Sequence, residues 1–196
     1  MDSHRQSYIT VVSGLPRSGT SLMMQVLEAG GMPILCDGIR RADIHNPCGY
    51  YEYEKVKTLA RDRSWIGDAE GKVVKIVSMH LYNLPPDHCY RVIFMTRRMD
   101  EILTSQSVML DKLGKKNGPD DAQMARHYEK HLVKLKEWLD QQKHIKVMYC
   151  SYQSLFKDPS AALTTVRNFL GGTLNAERMG SVIDPGLYRE RTGDHG

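Results

Sequence analysis

The residues best placed to do chemistry are Gly14-Leu15-Pro16-Arg17-Ser18-Gly19-Thr20-Ser21. Several small residues and one cation here lie between an apolar run, Tyr8 to Ser13, and an amphipathic run, Leu22 to Ala29, that stops at Gly30-Gly31. A strand, a tight glycine loop and a helix in that order turn backbone N–H groups toward one anion at the helix N-terminus. The spacing is that of a Walker A loop, but the lysine that reaches the β- and γ-phosphates of a nucleoside triphosphate is missing. Thr20 holds its place, the cation has moved upstream to Arg17, and Ser21 keeps the hydroxyl. Such a loop suits a phosphate and is poorly equipped to neutralise a triphosphate.

Further cations fall at other strand ends. Lys75 lies between Val74 and Ile76 in an apolar run, where an amine is costly to bury unless it is paired or faces an anion. Arg97 closes another apolar run, and Ser105 follows eight residues later, about two turns into the next helical pattern. An arginine fork and a hydroxyl from two directions would make a second anion site, apart from the glycine loop. Two phosphate sites suit a ligand phosphorylated at both ends of a nucleoside.

The elements that must position these groups alternate. Strand patterns are expected at 8–13, 33–36, 72–77, 91–96 and 145–150. Helical patterns follow from Leu22, from Glu54 to Trp65, from Met99 to Leu113 and from Met124 to Leu139. Asp158-Pro159 supplies an N-cap and a first-turn proline for a helix that Gly171-Gly172 ends. This order predicts one α/β domain over 1–196: three layers, a P-loop-like fold, a central parallel sheet of about five strands, and helices on both faces. Ligands of such sheets bind at the carboxyl ends of the strands, where these cations fall.

Together, Pro16 to Ser21, Lys75, Arg97 through Ser105, and Tyr152 in Val147 to Leu155 resemble the sulfotransferase superfamily, most closely compact bacterial-type domains. The resemblance runs from residue 8 to about residue 171. It implies an enzyme using 3′-phosphoadenosine 5′-phosphosulfate (PAPS), with Pro16, Arg17, Ser18, Gly19, Thr20 and Ser21 around the 5′-phosphosulfate. It implies that Arg97 and Ser105 hold the 3′-phosphate, that Tyr152 contacts the adenine, and that Lys75 lies near the bridging oxygen. The chain departs from the family in several places. Leu22 replaces the aromatic residue that stacks on adenine in the cytosolic branch, and Arg97-Arg98-Met99 replaces Arg-Asp-Pro. Gln153 replaces an acidic residue, and Val77 stands where that branch has a histidine.

Sulfuryl transfer needs a base for the acceptor hydroxyl and cations for the leaving phosphate. Arg17, Lys75 and backbone amides supply the cationic part without a metal, and none is expected. Glu52 is the candidate base, with Glu54, His45 and His80 as rivals. A carboxylate among Tyr50, Tyr51 and Tyr53 would be desolvated toward a useful basicity, though Glu54 could simply start a helix. Arg189 and Arg191 could join the 3′-phosphate site, and Arg40 and Arg41 share the polar, aromatic loop of 37–53. Cys36, His45 and Cys48 lack a zinc spacing. The rival readings are a P-loop kinase or NTPase, and a nucleotide-binding module without turnover.

Composition narrows the classes. With 196 residues, 41% hydrophobic and 26% charged, the chain has the profile of an ordinary globular domain. A net charge of +4 is mild, so no nucleic-acid partner is expected, and a pocket for a small polyanion explains the excess. No apolar run approaches the roughly 20 residues that span a membrane, and the polar N-terminus lacks a secretory core. Four cysteines without a CxxC pair suit a reducing, cytoplasmic setting, with Cys36 and Cys150 as small apolar strand residues. A small-molecule acceptor is the expected partner, and tyrosines and Trp65 would suit a flat one.

Overall fold

A computed structural model of the chain describes residues 8–38, 51–112, 114, 120–184 and 186. Arg40, Arg41, His45, Cys48, Tyr50, Arg189 and Arg191 lie outside the described residues.

Five parallel strands form one sheet in the order β2-β3-β1-β4-β5. They are β1 (Ile9–Gly14), β2 (Ile34–Leu35), β3 (Val73–Lys75), β4 (Tyr90–Thr96) and β5 (Ile145–Ser151). The helices are α1 (Thr20–Ala29), α2 (Met99–Lys112), α3 (Asp121–Asp140), α4 (Ser154–Lys157), α5 (Pro159–Phe169) and α6 (Ala176–Ser181). Successive strand residues point to opposite faces, because the pleat has period two. Val11, Val74, Val92 and Phe94 therefore pack on one face with Leu135 and Leu139 of α3, and with Leu59, Trp65 and Leu81. Val12, Val73, Ile93 and Met95 pack on the other, against Met23 and Leu27 of α1, Val166 of α5 and Met179 of α6. The architecture is thus the expected three-layer α/β fold, with a five-stranded parallel sheet covered on both faces.

This strand order positions the site. From β1 the chain crosses to β2 and β3 on one side, then returns to β4 on the other. The segments leaving β1 and β4 diverge at that switch point and leave a crevice at the carboxyl ends. Gly14 pairs in register with Met95, so the loop after β1 and the turn holding Arg97 start at one level.

The helix expected from Glu54 to Trp65 is instead a short 3-10 segment over Glu54–Thr58 followed by turns. The Asp62 carboxylate accepts from both the backbone N–H and the hydroxyl of Ser64, at 3.0 and 2.7 Å. Such a local bond competes with helix continuation. Cys36 also differs from expectation: it is exposed just beyond β2. Cys150 is buried in β5, and burial pushes its thiol up to about 11. The α5 helix starts as expected, with the Asp158 side chain accepting from Ala161 N–H at 3.0 Å and Pro159 in the first turn.

A candidate anion-binding crevice

The loop between β1 and α1 has two left-handed residues, Arg17 at φ 69° and Gly19 at φ 96°. Reversals of this kind turn successive N–H groups into one concavity. Ser18 braces the turn: its hydroxyl donates to Leu15 carbonyl at 2.7 Å and its N–H to the same carbonyl at 3.2 Å. The α1 helix opens at Thr20, and Met23 N–H bonds to Gly19 carbonyl at 3.1 Å. The amides of its first turn precede that bond and face the crevice end of the helix. Gly19 is required twice over. Its φ disfavours a side chain, and a Cβ there would stand 2.3 Å from Cδ2 of Tyr152.

Arg17 Nε donates to Ser105 Oγ of α2 at 2.9 Å. Arg97 NH1 donates to the Arg17 carbonyl at 3.2 Å. The Arg97 guanidinium also lies over the Tyr152 ring, 4.5 Å from its centroid. Arg17, Arg97, Ser105 and Tyr152 thus form one cluster, where the sequence suggested an Arg97–Ser105 site apart from the loop. The strand order explains the difference, since β1 and β4 are neighbours and their loops meet. Tyr152 is buried, between Gly19, Arg97 and Phe156. Leu22 is buried in the core face of α1.

Lys75 ends β3 and is buried. Its Nζ lies 3.4 Å from Ser21 Oγ, at the helix end of the loop, and 3.8 Å from Glu52 Oε1. The cation missing after Gly19 is therefore offered from the neighbouring strand, with a carboxylate facing it. Tyr51, itself left-handed at φ 52°, donates its hydroxyl to Glu28 of α1 and fixes the chain beside Glu52.

The rivals to Glu52 stand differently. Glu54 starts the 3-10 segment and pairs with Lys57 at 2.7 Å. His80 lies in a 3-10 segment, Ser78–Asn83, and burial lowers its pKa below the usual imidazole value. Just beyond β3, Ser78 Oγ lies 2.9 Å from His131 Nε2 of α3. Among the described residues, no group of three or more His, Cys, Asp or Glu is arranged to hold a metal. No described helix is long and apolar enough to cross a membrane.

Sequence reasoning missed Glu101, and it noted Gln153 only as a departure from the family pattern. Glu101 is 1% exposed on α2, and its Oε2 accepts from Arg97 Nε at 2.8 Å. Its Oε1 accepts from Gln153 Nε2 at 3.0 Å. The four-residue spacing of Arg97 and Glu101 was a usable signal, because an acid in the first turn of a helix can reach back to a residue just before it. That Gln153 would meet Glu101 from 52 positions away had none.

Residues 9–185 match a family model described as a sulfotransferase domain. No curated protein sequence matches the chain significantly. Similar solved structures include a sulfotransferase from Alicyclobacillus acidocaldarius, at 14% identity and TM-score 0.49, covering 92% of this chain and 87% of that one. The sulfotransferase domain of the Synechococcus PCC 7002 olefin synthase is similar at 17% identity and TM-score 0.48, covering 97% and 86%. A sulfotransferase domain from the curacin biosynthetic pathway is similar at 16% and 0.48, covering 97% and 80%.

Proposed function

The chain belongs to the sulfotransferase family, and from that premise we propose that it moves a sulfuryl group from PAPS to a hydroxyl or amine of a small-molecule acceptor by in-line displacement. The observation that carries this reading is Lys75. It brings a buried cation to the hydroxyl end of a glycine loop that lacks its own lysine, with Glu52 3.8 Å away. That donor set fits a phosphosulfate, which carries fewer charges than a triphosphate.

The residues divide the work. Pro16 to Ser21 would hold the 5′ end through loop amides, the Arg17 side chain and the hydroxyls of Thr20 and Ser21. Arg97 and Ser105, joined through Arg17, would take the 3′-phosphate. Tyr152 would border the adenosine, with its ring set by Gly19 and Arg97. When bound, PAPS supplies an activated sulfuryl group, whose bond to the phosphate oxygen breaks as sulfur bonds to the acceptor. Lys75 would neutralise charge growing on that phosphate oxygen, and Glu52 would take the acceptor's proton. A reducing, cytoplasmic setting belongs to the same reading, and four cysteines without a CxxC pair suit it.

Calorimetric titration tests this. Adenosine 3′,5′-bisphosphate is expected to bind the wild type, with magnesium ATP far weaker, and Arg97→Ala to lose about tenfold or more toward the bisphosphate. A preference for magnesium ATP would return the chain to the kinases. Bisphosphate binding with no turnover on any hydroxyl acceptor would leave a nucleotide-binding module.

A further inference from the structure

We infer that Glu101 is a positioning residue for the 3′-phosphate site, setting the Arg97 guanidinium through a carboxylate shared with Gln153. This rests on the nucleotide reading above and assigns a role to a residue that lies between Arg97 and Ser105 and was given none there.

An acid this deeply buried needs partners on both oxygens, and Glu101 has them. Its bond to Arg97 uses Nε, at the inner edge of the fork. The bond from Arg97 NH1 to the Arg17 carbonyl uses the other edge, and the Tyr152 ring lies against the guanidinium face. Three contacts in three directions fix both the rotation and the tilt of a side chain that otherwise has many rotamers. Gln153 extends the brace. It follows Tyr152 directly and lies 52 positions along the chain from Glu101. One carboxylate therefore couples the residue just after β4 to the turn leaving β5, and so the phosphate-facing arginine to the tyrosine beneath it.

A negative charge so near a phosphate site would, by Coulomb's law alone, oppose an anionic ligand. The two effects have opposite signs. If Glu101 positions Arg97, removing the carboxylate weakens recognition of the 3′-phosphate. If it only supplies a counter-charge, removing it tightens that recognition.

The test compares adenosine 3′,5′-bisphosphate with adenosine 5′-monophosphate by calorimetry, in the wild type, Glu101→Gln and Gln153→Ala. The ratio of the two affinities isolates the 3′-phosphate. We expect Glu101→Gln to lower that ratio by about tenfold, and Gln153→Ala by about threefold, with monophosphate affinity nearly constant. A purely structural role would lower both affinities together and leave the ratio alone. Should Glu101→Gln fail to fold, Gln153→Ala decides. An unchanged or increased ratio in a folded variant overturns the inference while the nucleotide reading stands. A wild type that does not distinguish the two ligands overturns the nucleotide reading, and the role of Glu101 with it.

Discussion

The two walls of the crevice are built to different tolerances. On the β4 side, Arg17, Ser105, Arg97, Glu101 and Gln153 form a chain of bonds at 2.9, 3.2, 2.8 and 3.0 Å, stacked on Tyr152. On the β3 side, Lys75 stands 3.4 Å from Ser21 and 3.8 Å from Glu52. The first wall is already in hydrogen-bonding register, whereas the second holds the right charges at longer range. A site can recognise one substrate with a preformed wall while its reacting groups tighten only in the complex. In the proposed function, the β4 wall would be the part that binds and the β3 wall the part that reacts.

Replacing Lys75 by methionine should give the largest effect and divides the walls most sharply. Methionine keeps much of the buried stem and removes the charge beside Ser21 and Glu52. Turnover with PAPS should fall by about 100-fold to 1,000-fold, the scale of losing one preorganised electrostatic group. Affinity for adenosine 3′,5′-bisphosphate should change by no more than a few fold. Single-turnover kinetics beside calorimetry would check both. A large loss of affinity with little loss of rate would reverse the assignment of the walls.

How much of this was legible follows the reach of each interaction along the chain. Strands β1, β4 and β5 were visible because apolar runs bounded by turn residues need no distant partner to be read. The α5 cap was visible because Asp158 and Pro159 act locally. The motif residues were legible as types: Arg17, Lys75, Arg97 and Ser105 all lie at carboxyl ends of strands or in the elements that follow them. Their mutual contacts were not. Ser105 lies 88 positions from Arg17, and only the β1–β4 adjacency brings them together. The misread helix after Glu54 failed for the opposite reason. An apolar spacing in Val56, Leu59 and Ala60 looked helical, but the local bonds of Asp62 to Ser64 turn the chain instead.

Gly19→Ala should break the β4 wall as a unit. The new Cβ meets the Tyr152 ring at 2.3 Å and forces an alanine into φ 96°. Strain of this kind costs on the order of 1–3 kcal/mol before any repacking, so the melting temperature should fall by roughly 2–12 °C. Bisphosphate affinity should fall with it, because Tyr152 cannot move without disturbing Arg97. Near-normal stability and affinity in this variant would mean that the wall is more yielding than its contacts indicate.

Ser105→Ala should have the smallest effect and sharpens the comparison within the β4 wall. The substitution removes one hydroxyl, which accepts from Arg17 Nε at 2.9 Å, and leaves the Arg97–Glu101–Gln153 brace in place. A hydrogen bond to a charged group contributes about 1.5 kcal/mol or somewhat more, so bisphosphate affinity should fall about tenfold. The loss should be confined to ligands bearing a 3′-phosphate, and adenosine 5′-monophosphate should bind the variant as it binds the wild type. If the monophosphate weakens equally, Ser105 serves the loop by steadying Arg17 and does not itself meet the 3′-phosphate. The phosphate would then be held from the Arg97 side alone, and Glu101 would carry a larger share of its recognition.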